Sequence, residues 1–152
     1  MARSTRWLLG VMAGVLGLIV LALVVALTAG GETDLDADTP GGTVQTYLRA
    51  VAESDADAAW ALFGSELQDR CSLASVRDAL RYGPRDFRAQ LGEVIERAET
   101  TDVSVSITER YGGGLFGNES TFEQVFPLTQ EDGAWRLAEA PWPLWCPAEP
   151  FR

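Results

Sequence analysis

The sequence predicts an α+β protein: helices packed on one face of a strongly curved antiparallel sheet, preceded by a single transmembrane helix. Three observations predict it. Residues 7–29 are an uncharged apolar run. Between residues 44 and 91 apolar side chains recur at spacings of three and four, the period of a helix face. From Val103 onward the pattern changes to strict alternation, the period of a half-buried strand. Helices first and a meandering sheet afterwards is the order of an α+β fold.

The run from Trp7 to Ala29 has the length of a bilayer-spanning helix, at ~1.5 Å per residue across a hydrocarbon core of ~30 Å. Arg3 and Arg6 precede it, and Glu32, Asp34, Asp36 and Asp38 follow it. Positive charge stays inside, so residues 1–6 are expected in the cytoplasm and the rest of the chain outside. The alternative is a cleaved secretory signal with a cut after Thr28-Ala29-Gly30. Its apolar core is shorter, about 7–15 residues. Gly10 and Gly14 form one small-residue spacing that suits either close packing of two such helices in a homodimer or the ordinary composition of a spanning helix. Residues 30–41 are acidic and poor in apolar side chains, which reads as a solvated linker. Asp34, Asp36 and Asp38 suggest a calcium loop, but its sixth and twelfth positions are Thr39 and Gln45 instead of glycine and glutamate.

Residues 42–152 are enough for one small domain. The first helix is expected from Thr39 or Thr43 to about Glu53, with Val44, Tyr47, Leu48 and Val51 on its apolar face. Ser54 and Asp55 suit the cap of a second helix carrying Ala58, Ala59, Trp60, Leu62 and Phe63. Gly64 is expected to end that helix in a left-handed turn. A short helical piece runs to Arg70. Ser72 or Ser75 starts another helix, with Leu73, Val76, Ala79 and Leu80 inward, stopped by Gly83-Pro84. Phe87 and Leu91 suggest one further helical turn before Gly92. Val103, Val105 and Ile107 mark the inner face of a strand, with Ser104, Ser106 and Thr108 opposite. A flexible loop follows from Tyr111 to Asn118. The second strand, about Ser120–Thr129, places Phe122, Phe126 and Leu128 on one face. Glu131-Asp132-Gly133 is a hairpin turn leading to a third strand with Trp135 and Leu137. Residues 93–99 suit a fourth strand. Pro141, Pro143, Pro147 and Pro150 make the tail extended.

Composition excludes several functions. All 22 acids and ten of the 12 arginines lie beyond residue 31, a net charge of −12 there. Such a domain repels phosphates, so no nucleic-acid partner is expected. The chain has no histidine. That removes the usual general base at neutral pH, the Ser-His-Asp and Cys-His pairs, and the commonest ligand of zinc, haem and copper. No metal and no cofactor are expected. Cys71 and Cys146 are the only cysteines. An even count in an oxidising compartment favours a disulfide between them, closing a loop of about 75 residues.

The segment Val44-Gln-Thr-Tyr-Leu-Arg-Ala-Val-Ala-Glu-Ser-Asp-Ala-Asp-Ala-Ala-Trp60 resembles the NTF2-like superfamily, whose fold is a cone-shaped α+β barrel also called cystatin-like. There a first helix is followed at once by a small-residue turn and an alanine-rich second helix ending in aromatics. Asp132-Gly-Ala-Trp-Arg-Leu137 is similar to that family's final strand. The likeness covers roughly residues 42–140 and is strongest to small membrane-anchored or lipoprotein-type bacterial members. It implies a pocket between sheet and helices. Enzymatic members place Asp, His or Tyr there; no catalytic position of this chain matches one residue by residue, so the resemblance implies the fold and not an activity.

Four groups of side chains are candidates for a site. Tyr47, Trp60, Phe63, Phe122, Phe126 and Trp135 would either line an apolar pocket or fill the core. Arg77, Arg81, Arg85 and Arg88 surround Tyr82-Gly83-Pro84 and suit a carboxylate or phosphate, or else pair with Asp78, Asp86 and Glu93 on a solvated face. Glu93, Glu96 and Glu99 would supply acid–base chemistry only if buried or closely partnered. Trp142 and Trp145, held among prolines beside Cys146, would anchor a partner protein or clamp the tail to the barrel. The expected role is an extracytoplasmic binding or scaffolding domain, an accessory subunit of an envelope complex with a protein or small apolar ligand as partner. The competing readings are a carboxylate-dependent hydrolase or isomerase and a cleaved secreted domain.

Overall fold

The computed structural model describes residues 34–84, 86–111, 118–144 and 146. The segment 7–29 lies outside them. No helix among the described residues is long and apolar enough to cross a membrane. Among the described residues four helices come first, α1 (Pro40–Glu53), α2 (Ala56–Ala61), α3 (Ser65–Arg70) and α4 (Leu73–Tyr82). Four strands follow, β1 (Phe87–Glu96), β2 (Thr101–Tyr111), β3 (Asn118–Glu131) and β4 (Ala134–Leu137). They form one antiparallel sheet in the order β1-β2-β3-β4.

Local chemistry sets most boundaries. Thr39 caps α1 by accepting the Gly42 amide at 3.0 Å, with Pro40 in the first turn where its missing N–H costs nothing. Asp55 caps α2 through the Ala58 amide at 3.0 Å, and Ser72 caps α4 through the Ser75 amide at 3.2 Å. Ser54 closes α1 in the left-handed region at φ 58°. Asp132 and Gly133 both have positive φ, the requirement of a two-residue turn that matches strand twist.

Residues 34–39, within the expected linker, are exposed but fold back on α1. Asp34 pairs with Arg49, and the Leu35 amide donates to Gln45 Oε1 at 2.8 Å. Gly42 permits this approach: a Cβ there would lie 2.6 Å from the Asp36 carbonyl carbon. Gly42→Ala is therefore expected to destabilise the domain by about 1–3 kcal/mol, the usual result of forcing an atom into packed space. It should also free residues 34–39 to faster amide exchange. Unchanged stability and exchange would show that the segment does not pack as described.

Two expected elements differ. Residues 87–91 are strand, not a helical turn, and β1 ends at Glu96 instead of running to residue 99. Phe87 and Leu91 are four apart, which satisfies both periods; Ala89 between them settles it, since all three sit half-buried beside the core while pairing with β2. Past Glu96 the chain turns, with the Arg97 amide donating to the Thr100 carbonyl at 2.8 Å. Gly64 does not end α2, which stops at Ala61. It precedes α3 at φ −66°, where the Glu131 carboxylate accepts the Ser65 amide at 3.0 and 3.1 Å. The backbone there also binds the edge strand: Leu137 donates to Leu62, and Gly64 donates to Leu137, both at 2.9 Å. These bonds satisfy an edge that would otherwise be open for pairing.

The core lies between the helices and the inner face of the sheet. Val103, Val105 and Ile107 of β2, Phe126 and Leu128 of β3 and Leu137 of β4 are fully buried against Val44, Tyr47, Phe63, Leu67 and Val76. Tyr47 is centred between Phe63 and Phe126, with ring centroids 6.2 and 6.1 Å away.

Candidate functional site

The inner face of β2 does not end with Ile107. The alternation continues one step to Glu109, and this residue is only 7% exposed. Glu109 is opposite Phe87 on β1, and Ile107 is opposite Phe122 on β3, so two aromatic rings flank the acid. The third ring comes from the tail. Trp142 meets Phe87 edge-on at 4.8 Å and Phe122 at 6.2 Å. Its indole Nε1 donates to Glu109 Oε1 at 3.0 Å. A carboxylate surrounded by apolar rings gains from any N–H or O–H directed at it.

The tail reaches this place as a strap. It leaves β4 at Ala138, whose amide donates to the Pro127 carbonyl at 2.9 Å. A turn closed by the Leu144 amide on the Pro141 carbonyl, at 2.8 Å, contains a cis Trp142-Pro143 peptide. The Tyr47 hydroxyl donates to the carbonyls of Trp142 at 3.1 Å and Pro141 at 3.4 Å. Leu144 is buried, and Cys146 is joined to Cys71 with the two Cα atoms 5.4 Å apart. Trp60 supports the other end of this bridge: its indole donates to the Cys71 carbonyl at 2.8 Å.

Burial pushes the Tyr47 hydroxyl well above the usual tyrosine range. An unfolded tyrosine ionises near pH ~10, while the folded one holds its proton, so above that pH the folded state binds more protons and stability falls with rising pH. The expected slope is about −1.4 kcal/mol per pH unit above pH ~10, until the folded group itself titrates. The chain has no lysine to obscure it. Denaturant titrations at several alkaline pH values should show this loss in the wild type and not in Tyr47→Phe; equal slopes would contradict the buried, neutral hydroxyl.

The remaining candidates occupy different places. Tyr47, Phe63 and Phe126 are in the filled core, while Trp60, Phe122 and Trp135 are half-buried at its border. Arg77, Arg81 and Arg88 have different surroundings. Arg77 pairs with Asp57 at 2.8 Å, and Arg77 and Arg81 line a surface cleft of about 420 Å³ with Ser54, Asp55 and Asp57. Arg88 lies on β1 beside Glu119, at 3.3 Å. The Glu119 carboxyl is held below the usual range, first by its hydrogen bond from Arg110 and then by the charge of Arg88. Asp86 pairs with Arg110 at 3.7 Å. Arg85 and Trp145 lie outside the described residues. A second cleft, of about 240 Å³, is lined by polar groups including Gln68, Glu131 and Arg136.

Glu93, Glu96 and Glu99 are all exposed. The other buried acid on the sheet, Asp102, pairs with Arg97 and points to the opposite face of β2, seven residues or roughly 23 Å from Glu109. No group of three His, Cys, Asp or Glu side chains among the described residues is placed to hold a metal ion.

No protein-family model and no curated protein matches the chain. Solved structures do. The chain is similar to a SEC-C motif-containing protein from Rhodopseudomonas palustris at 20% identity and TM-score 0.56, covering 69% of this chain and 79% of that one. It is similar to a ketosteroid isomerase-like protein from Erwinia carotovora atroseptica at 16% identity and TM-score 0.52, covering 70% and 93%. It also matches a calcium/calmodulin-dependent protein kinase type II association domain from Thiobacillus denitrificans at 14% identity and TM-score 0.54, covering 66% and 90%. The chain shares the fold of these structures. At these identities the likeness is one of fold alone.

Proposed function

We propose that the chain is a single-pass membrane protein, its N-terminus in the cytoplasm, that presents this domain outside the cell membrane as a binding or scaffolding module of an envelope complex. The observation that carries the binding role is the Glu109 carboxylate, buried among Phe87, Phe122 and Trp142 at one end of the sheet's inner face. Rings give area and the acid gives orientation, the combination by which small ligand sites select. The apolar run at residues 7–29 with its flanking charges supports the location, and the Cys71–Cys146 pair suits an oxidising compartment. The test uses the full chain purified in mild detergent. Native mass spectrometry and pull-down from membrane extracts should find a retained small molecule, a second copy or an envelope protein. A bare monomer with no partner under repeated conditions would contradict the proposal.

The buried acid also favours a second reading, a carboxylate-dependent isomerase or hydrolase with Glu109 as its proton carrier, in keeping with the isomerase-like name of one structural neighbour. A bound mass that changes with time in the wild type and not in Glu109→Gln would favour it; identical behaviour of the two would remove it.

A further inference from the structure

We propose that Trp142 is an internal occupant of the site at Glu109, held there by a strap whose latch is the Cys71–Cys146 bridge, and that releasing the strap opens the site to an aromatic ring bearing an N–H or O–H donor. This rests on the binding role proposed above and names its ligand class and its control.

The indole of Trp142 uses every feature a ligand of that class would use. Its N–H meets the Glu109 carboxylate on the inner face, at 3.0 Å, and its ring lies edge-on against Phe87 and Phe122. The strap itself has few ties. Beyond Ala138, among the described residues, the tail's backbone–backbone hydrogen bonding is the internal bond between Leu144 and Pro141. What fixes it to the domain is side-chain contact: the Tyr47 hydroxyl, the Trp142 indole, the burial of Leu144 and the bridge at Cys146. A segment held by side chains and one covalent link opens locally more easily than a paired strand. Lifting it leaves Glu109 without its indole donor and uncovers the two phenylalanine rings.

The latch has a defined chemistry. Cys71 is 1% exposed and Cys146 is half-buried, so a dithiol reductant reaches the Cys146 sulfur first. Its thiolate attacks that sulfur, the bond to Cys71 breaks, and Cys71 leaves as a thiolate that takes up a proton. The reductant's second thiol then displaces Cys146 from the mixed disulfide. Both cysteines end as thiols and the reductant ends as a disulfide.

The test measures calorimetric binding of indole and of 1-methylindole, which lacks the N–H, to the full chain in detergent at low temperature. Three forms are compared: oxidised wild type, wild type reduced with dithiothreitol, and oxidised Trp142→Ala. The oxidised wild type should bind neither compound measurably. The reduced wild type and Trp142→Ala should bind indole, and about tenfold more tightly than 1-methylindole, because a buried acceptor left unpaired disfavours the methylated ring. Indole should also raise the melting temperature of Trp142→Ala. Equal binding of the two compounds, no binding by either released form, or equal binding by oxidised and reduced wild type would each overturn the inference. If amide NMR spectra show that both released forms have lost the folded sheet, the strap is core and not latch, and the inference fails. Retention of some other ligand or partner by the untreated chain, with no indole binding after release, overturns this inference and leaves the binding role standing.

Discussion

Replacing Cys71 and Cys146 together by serine is expected to lower the unfolding midpoint by roughly 15–20 °C. The bridge joins residues 75 apart in sequence. In the chain-entropy model a loop of that size is worth about 4–5 kcal/mol, because the open unfolded chain regains the freedom that the bridge removes. For a domain of this length, each kcal/mol corresponds to roughly 4 °C. The native contacts around the bridge add to the loss, since Cys71 is buried and terminates α3 while its partner holds the strap. Thermal circular dichroism of the full chain in detergent, with and without reductant, measures it. Reduced wild type should match the double serine variant. A shift below about 3 °C would mean that the bridge constrains only the last residues of the tail and not the fold.

Phe126→Ala is expected to cost about 3–5 kcal/mol, the range for truncating a fully buried phenylalanine. Phe126 is 0% exposed, pairs with Val103 on β2 and meets the Tyr47 ring from α1. Its loss leaves a void where sheet and helix meet, and the surrounding β-branched residues are too stiff to fill it. Phe122, two positions along on the same face of β3, is half-buried and should cost less than half as much. The pair of variants separates core from site: Phe126→Ala lowers stability, whereas Phe122→Ala mainly weakens indole binding by the released protein. A small cost at Phe126 together with a large one at Phe122 would invert the division made here.

Local signals made much of this fold legible in the sequence. Thr39, Asp55 and Ser72 cap helices because their side-chain oxygens satisfy free amides within the same turn, which needs no tertiary information. Val103, Val105 and Ile107 declare an inner face through alternation alone, and Gly133 declares a turn by its freedom at positive φ. Phe87 and Leu91 misled because a spacing of four belongs to both periods, and only the partner strand decides between them. Gly64 misled because a glycine before a serine suits either end of a helix; the deciding group, the Glu131 carboxylate, is 66 residues beyond Ser65. Glu109 was visible as the next inward position after Ile107, an acid where an apolar residue was due. Its partner was not visible, since the Trp142 indole arrives from 33 residues further along the chain. Arg77 and Arg81 lie on α4, which ends at Tyr82, whereas Arg88 already lies on β1.

The proposed arrangement, in which residues 7–29 hold a folded, bridged domain on the outer side of a membrane, is tested by proteinase K added to right-side-out spheroplasts expressing the full chain. The expected result is loss of the full-length band and release of a soluble fragment that contains the Cys71–Cys146 bridge, by cleavage near residues 30–33. A full-length band that survives in intact spheroplasts and disappears only after lysis would contradict it.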